Sequence, residues 1–310
     1  MRMLKKFTLR KLSIAILMAI VAFILYMFPE PLKEHIEDIQ NNKEAIFLID
    51  KNNYVSMIKV VNNGKNTQDK LKELIKTLTI DSENYKVIPN GFKAIIPKNT
   101  TLLDYSLEQG LLKLNFSKEF WNVQKDDEDK MIQSIVYSLT EIKEVKKIML
   151  FVEGKQVQKL PKTNKKLDLY LDRNYGINKV YDLKTFNHVD CYTVYFLGKL
   201  DEYYYIPVTY FKDNINDKVE IIIESLTTSP TNNEGLISHL DYQVKLMNYE
   251  ITEDKIDMYF NNYLLNNLDK SYLQEEVKYS LVYSLNDTLG LKTVNFLVDN
   301  EEIEQFTLEN

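Results

Sequence analysis

The 310-residue sequence predicts an α+β chain: two tandem repeats of a two-helix, mixed-sheet unit, preceded by one N-terminal transmembrane helix. Three observations carry that expectation. Residues 12–28 form an apolar run that no charge interrupts. Short patterns recur in the same order at offsets of 144 to 148 residues. Helix-like and strand-like periodicities fall at matching places in both halves, and the helices do not alternate regularly with the strands, which favours layered α+β packing.

The first eleven residues contain five bases (Arg2, Lys5, Lys6, Arg10, Lys11) and no acid. The apolar run Leu12–Phe28 follows, with Leu12, Ile16, Ile20, Phe23 and Phe28 along it. As a helix it spans roughly 25 Å, slightly less than a hydrocarbon core of about 30 Å. Tyr26 and the Pro29-Glu30-Pro31 break sit where an interfacial boundary belongs. A cleaved secretory signal normally ends in small residues, whereas Tyr26-Met27-Phe28 precedes the break here. The expectation is an uncleaved single-pass anchor in the cell membrane's lipid bilayer. Residues 1–11 are then cytoplasmic and the remainder extracytoplasmic, with 29–44 as a charged spacer.

The repeat appears most plainly where Val136-Tyr137-Ser138-Leu139 recurs as Val282-Tyr283-Ser284-Leu285. At the same offset, Val145-Lys146-Lys147-Ile148 matches Leu291-Lys292-Thr293-Val294. Upstream, Leu112 to Phe116 aligns with Ile256 to Phe260, and Asp69-Lys70-Leu71 with Asp217-Lys218-Val219. Collinear matches of this kind mark a duplicated unit, with loop insertions accounting for the drift in offset.

Each unit reads in the same order. Residues 45–50 and 54–61 are rich in β-branched and aromatic residues around a Lys-Asn-Asn turn, so they predict a hairpin. Asp69 opens a helix whose Leu71, Leu74, Ile75 and Leu78 fall at i, i+3, i+4 and i+7; Val219, Ile222, Ile223 and Leu226 repeat that stripe. Short strands follow near 92–96, 102–106 and 111–116, the last entered through a turn at Gly110. A second helix over 127–142 carries Met131, Ile135, Val136, Leu139 and Ile142 on one face, matched by Val277, Leu281, Val282 and Leu285. The unit closes with a strand, Lys147–Val152 or Thr293–Val298. Domain limits of 45–158 and 191–310 follow, with 159–190 as a polar linker.

Composition narrows the chemistry. Only 8 glycines occur, none in a phosphate-cradling motif, and the single Cys191 excludes an internal disulfide or a zinc site needing two thiolates. Histidines 35, 188 and 239 lack metal-ligand spacing. The net charge of −6, which becomes −11 once the basic N-terminus is set aside, gives no footprint for nucleic acid. Neither a cofactor nor a metal is expected.

Possible catalytic groups have simpler readings. His188-Val189-Asp190-Cys191 places a thiol beside a histidine and an acid, but lacks a glycine-rich oxyanion turn; Cys191 reads as a small, partly buried hydrophobe. Asp126 to Asp129 lack the spacing of a calcium loop and read as a helix start capped by Asp126. Glu119, Glu141 and Glu153 could supply a glycosidase pair, yet their repeat partners are Tyr263, Asp287 and Asp299, and solvated acids are the default. No enzyme is expected. Aromatics offer a surface instead: Phe120-Trp121 and Tyr203-Tyr204-Tyr205 are the expected interface for a protein partner, with a peptidoglycan or glycan groove as the alternative.

The runs Gly91 to Leu103, Gly110 to Phe120, Ile135 to Thr140 and Val145 to Lys155 resemble the GerMN domain family. The second unit is similar but more divergent: Leu226 to Thr231 with Glu234-Gly235-Leu236 resembles the family's Gly-Pro turn, Ser229 standing for the glycine. Asn261 takes the place of Ser117, and Asn300 that of Gly154. The resemblance covers roughly 45–300. It implies a sporulation or spore-germination envelope protein that scaffolds an assembly with other sporulation-complex proteins, self-association into rings being one form of it. Tandem members are commonly lipoproteins; no cysteine lies near the apolar run here, so the helix itself is the expected anchor.

Overall fold

Lys51-Asn52-Asn53 reverses the chain between two apolar strands, β1 (Lys43–Asp50) and β2 (Val55–Val61), giving the expected hairpin. Asp50 fixes the turn, its Oδ1 accepting from the backbone N–H groups of Asn52 and Tyr54, each at 2.9 Å. The computed structural model describes residues 43–185, 188–228, 235–265 and 273–308, together with Met18. Apart from Met18, the expected anchor Leu12–Phe28 lies outside the described residues, as do Ser229 and Pro230 of the expected second-unit turn. Among the described residues, no helix is long and apolar enough to cross a membrane.

Helix α1 (Thr67–Leu78) begins two residues before the expected start, because Asn66 caps it by accepting from the Asp69 N–H. Its apolar stripe is buried throughout. After a short strand, β3 (Phe92–Lys93), the chain forms β4 (Leu102–Glu108) and β5 (Leu111–Phe116) around Gln109-Gly110, both at positive φ. Helix α2 (Glu128–Leu139) then carries it to β6 (Lys147–Val152), parallel to β5, and β7 (Lys155–Gln156). Asp126 does not cap α2. A 3₁₀ turn over Lys125–Asp127 leads into the helix and puts Asp127 at the cap position, with no side-chain bond.

The second unit repeats this plan. Strands β9 (Val189–Lys199) and β10 (Tyr203–Asp213) form its hairpin, and α3 (Lys218–Thr227) is capped by Asp217. Strands β11 (Leu246–Thr252) and β12 (Lys255–Phe260), helix α4 (Glu275–Leu289), and strands β13 (Thr293–Val298) and β14 (Glu301–Thr307) complete it. Each unit therefore contains a four-stranded sheet with one internal parallel pair flanked by antiparallel neighbours, β4-β5-β6-β7 and β11-β12-β13-β14. The outer strands share a bulge at matching places, between Leu102 and Asp104 and between Leu246 and Asn248.

The recurring Val-Tyr-Ser-Leu motif has a physical reason. Val136 and Leu139 are fully buried, as are Val282 and Leu285. Each serine ties its helix to the first strand of its own unit: Ser138 Oγ accepts from Phe47 N at 2.8 Å, and Ser284 Oγ from Tyr195 N at 2.9 Å. A buried strand N–H is thereby satisfied in both halves.

The hairpins do not close separate sheets. They join one six-stranded sheet in which β2 pairs antiparallel with β10, Met57 standing opposite Tyr205. One side of β10 is covered along its length by β9, and its far end by a linker strand, β8 (Val180–Asp182). Two residues past the Met57–Tyr205 pair, Val55 would face Pro207, which has no N–H to donate. The side chain of Asn178 fills that gap. Its Nδ2 donates to Val55 O at 2.8 Å and Pro207 O at 2.7 Å, and its Oδ1 accepts from Val55 N at 2.9 Å. The linker is thus part of the core sheet.

Candidate functional site

Arg173, in a 3₁₀ turn of the linker, stands at the centre of the seam between the repeats. Its Nη1 meets Asp287 Oδ1 at 2.5 Å and its Nη2 pairs with Glu141, so one guanidinium holds two repeat-equivalent acids, Glu141 just past the end of α2 and Asp287 in the last turn of α4. Nε donates to Thr140 Oγ1 at 3.1 Å, and the plane lies 4.8 Å from the Tyr137 ring centre. Tyr195 OH donates to Asp287 Oδ2 at 2.6 Å, and Tyr137 OH to Arg173 O at 3.0 Å. Burial works against the Arg173 charge, but Asp287 and Glu141 outweigh it and hold its pKa well above the ordinary value. Burial also raises the Glu141 carboxyl, against the pull of Arg173. Both acids are held as partners of Arg173.

The expected aromatic interface is corrected. Phe120 is fully buried, stacked on Phe116 at 4.7 Å, and Trp121 is half-buried with its ring 5.0 Å from Phe120. Tyr204 is 5% exposed, and its OH donates to Asp50 Oδ2 at 3.0 Å. Tyr205 packs against Tyr283 at 5.2 Å, and Tyr203 meets His239 edge-on at 4.7 Å. Alternation along β10 places these rings on two faces, both covered by other parts of the chain. The Tyr204 side chain crosses to Asp50 and Phe92 of the first repeat, while Tyr203 and Tyr205 pack within the second.

The catalytic alternatives are also separated. Asp190 accepts from Lys218 Nζ at 2.9 Å, and burial pushes the Cys191 thiol up, away from a reactive thiolate. Glu153 accepts from Lys118 N at 2.8 Å across the β5–β6 end. Glu119 is exposed. Among the described residues, no cluster of three or more histidine, cysteine or acidic side chains could hold a metal.

Open surface of a specific kind lies elsewhere, on the outer strands. Among the described residues, β4 pairs only with β5 and β11 only with β12. At matching bulge positions, 144 residues apart, Leu103 is 50% and Met247 68% exposed. Ile251 is a further exposed apolar residue on β11, at 47%. The opposite edges are blunted: β7 has two residues, and β14 carries Glu301, Glu302 and Glu304. Neither Leu103 nor Met247 stood out in the sequence, because a bulge breaks the alternation that separates inward from outward positions.

The Germane family, described as sporulation and spore germination, matches residues 43–158 and 193–304. The chain belongs to this family. It is 29% identical over 277 residues to the spore germination protein GerM of Bacillus subtilis (strain 168), covering 84% of this chain and 74% of that protein. The solved tandem GerMN domains of the B. subtilis sporulation protein GerM superpose with a TM-score of 0.78 at 26% identity, covering 86% of this chain and 96% of that one. The duplication read from the sequence is therefore the tandem Germane arrangement, and the two hairpins are the parts of the tandem that fuse.

Proposed function

We propose that this chain is a membrane-anchored, extracytoplasmic protein of sporulation or spore germination that scaffolds an envelope assembly through protein–protein contacts, without catalysing a reaction. The sporulation role follows from the likeness to GerM. The scaffolding role rests on one observation: two repeat-equivalent open edges, β4 and β11, carried on a body that Arg173 clamps from inside. An edge strand supplies a ladder of unpaired N–H and C=O groups, and a flanking apolar side chain adds specificity. Strand addition at these edges suits either other envelope proteins or further copies arranged in a ring. Residues 12–28 hold the chain at the bilayer, with 1–11 on the cytoplasmic side.

Substituting Leu103→Lys together with Met247→Lys tests the edges. Both side chains are already exposed, so stability should move by no more than about 0.5 kcal/mol. Recovery of partners after cross-linking in sporulating cells should fall several-fold. Undiminished recovery with an intact fold would sink the assembly reading. A peptidoglycan-binding reading is favoured by Tyr181, 60% exposed and stacked on Phe211 at 5.0 Å, a ring placed to receive a sugar face. Pelleting of the pure protein with isolated peptidoglycan, lost in Tyr181→Ala, would select that alternative.

A further inference from the structure

A polar cleft of about 530 Å³ opens where the first hairpin turn, the start of α2 and the linker converge. That volume lies in the range of small-ligand sites. Three lysines line it, Lys130 from α2 and Lys165 and Lys179 from the linker, with Asp126 and Asp129 as the lining acids.

Asp129 is heavily shared. It accepts from Lys165 Nζ at 2.9 Å on both oxygens, from Gln133 Nε2 at 2.9 Å and from Tyr175 OH. Lys179 comes last, reaching Asp129 Oδ2 at 3.4 Å. That oxygen is its sole hydrogen-bond acceptor among the described residues, although its side chain is only 5% exposed. The rest of its ammonium group rests on the face of Tyr175, 3.3 Å from the ring centre. An ammonium has three protons to place, and a buried one needs acceptors for them. Lys130 is committed to Asn53 O at 2.8 Å and supplies no acceptor. The cleft thus surrounds a buried cation short of oxygen partners, between two further cations.

We infer that this cleft binds an oxyanion, the carboxylate or phosphate group of a small ligand, with Lys179 as the principal donor and Lys165 and Lys130 flanking it. The inference goes beyond the scaffolding reading, because the ligand would sit on the linker side of the first repeat, on residues separate from the edges β4 and β11. A bound anion supplies the missing acceptors and compensates the excess of one positive charge among the lining side chains. It also sets a pH dependence. Burial pushes the Lys179 pKa down to about 7, against the pull of Asp129 and with the push of Lys165. Tyr175 and Lys130 face the same space, Tyr175 pushed far up by burial and Lys130 pushed down by it. Anion binding favours charged Lys179, so affinity is highest below its pKa and falls as pH rises through it.

The test titrates the 310-residue chain with sodium acetate and, separately, with inorganic phosphate, against sodium chloride at equal ionic strength. Binding is read by calorimetry and by the NMR shifts of ¹³C-methylated lysines. The expected result is saturable one-site binding of acetate or phosphate with a shift at Lys179, weakened about tenfold or more by Lys179→Met and largely restored in Lys179→Arg. The preferred probe identifies which group the site takes. Absence of saturable binding by both probes overturns the inference, as does an affinity unchanged in folded Lys179→Met. Should that variant not fold, the acetate affinity of the unaltered chain decides between about pH 6 and pH 9. A fall with rising pH supports the site, and a flat profile overturns it.

Discussion

Helices α2 and α4 occupy equivalent places in the two repeats, carry the same Val-Tyr-Ser-Leu core motif, and yet face different neighbours. Along α2 the outward positions are polar and bind the linker. Glu128, fully buried, accepts from the N–H groups of Lys162 and Thr163 at 2.9 and 2.7 Å and from Thr163 Oγ1 at 2.7 Å. Asp129 holds Lys165, and Gln133 Oε1 accepts from Asn178 N at 2.8 Å. At the corresponding places α4 has Gln274, Glu275 and Tyr279. Glu275 pairs with Lys278 of its own helix, and Tyr279 packs on Tyr283 and Phe306. The difference teaches that the inward face of the repeat specifies the fold, whereas its outward face has been specialised. The first repeat became the seat of the linker, and the second closed its own surface with aromatic rings.

The most severe break in that comparison is at the clamp. Arg173→Met leaves Glu141 and Asp287 facing each other without a counter-charge, and removing one partner of a buried ion pair costs about 3–5 kcal/mol. Urea unfolding should register that loss, with Asp287→Ala more damaging than Glu141→Ala because the Asp287 side chain is 2% exposed and that of Glu141 28%. Equal costs for the two acids would show that the clamp is symmetric in energy as well as in sequence.

A smaller effect is expected from Glu128→Gln. An amide cannot accept all three bonds that the carboxylate takes, so about 1–3 kcal/mol should be lost. Hydrogen exchange should rise selectively over 160–165, while Gln274→Ala leaves the second repeat nearly unchanged. The smallest effect tests what the repeats share. Ser138→Ala and Ser284→Ala should each cost about 1 kcal/mol, since each removes one buried bond to a strand N–H. Costs that differ by more than about 1 kcal/mol in equilibrium unfolding would contradict the equivalence of the two cores.

Much of the fold was legible because it is local. The stripe Leu71, Leu74, Ile75 and Leu78, the paired Val-Tyr-Ser-Leu motifs and the closing strands are all set by periodicity within a dozen residues. What stayed hidden depends on distant partners. Tyr203 to Tyr205 read as exposed because alternation assigns a strand two faces without saying that both are covered. Arg173 lies in a segment that reads as polar linker, and its acidic partners are 32 and 114 positions away. Lys179 lies in the same polar segment without distinction, since only folding brings Tyr175 and Asp129 around it. The exposed pair Leu103 and Met247 differs in residue type, so the match at their offset carried no identity to notice.

The pairing of β2 with β10 has a consequence for how the chain is made. Asp50, at the end of the first hairpin strand, waits for Tyr204, 154 positions later in the sequence. At about 5–20 residues per second, synthesis separates the two by roughly 8–30 s. During that interval the first repeat can assemble its helices and its own four-stranded sheet, but β2, with its apolar Val55, Met57 and Val60, has no neighbour on its far side. The nascent chain therefore carries a sticky edge that the finished protein conceals, and its most vulnerable moment falls before the second hairpin exists.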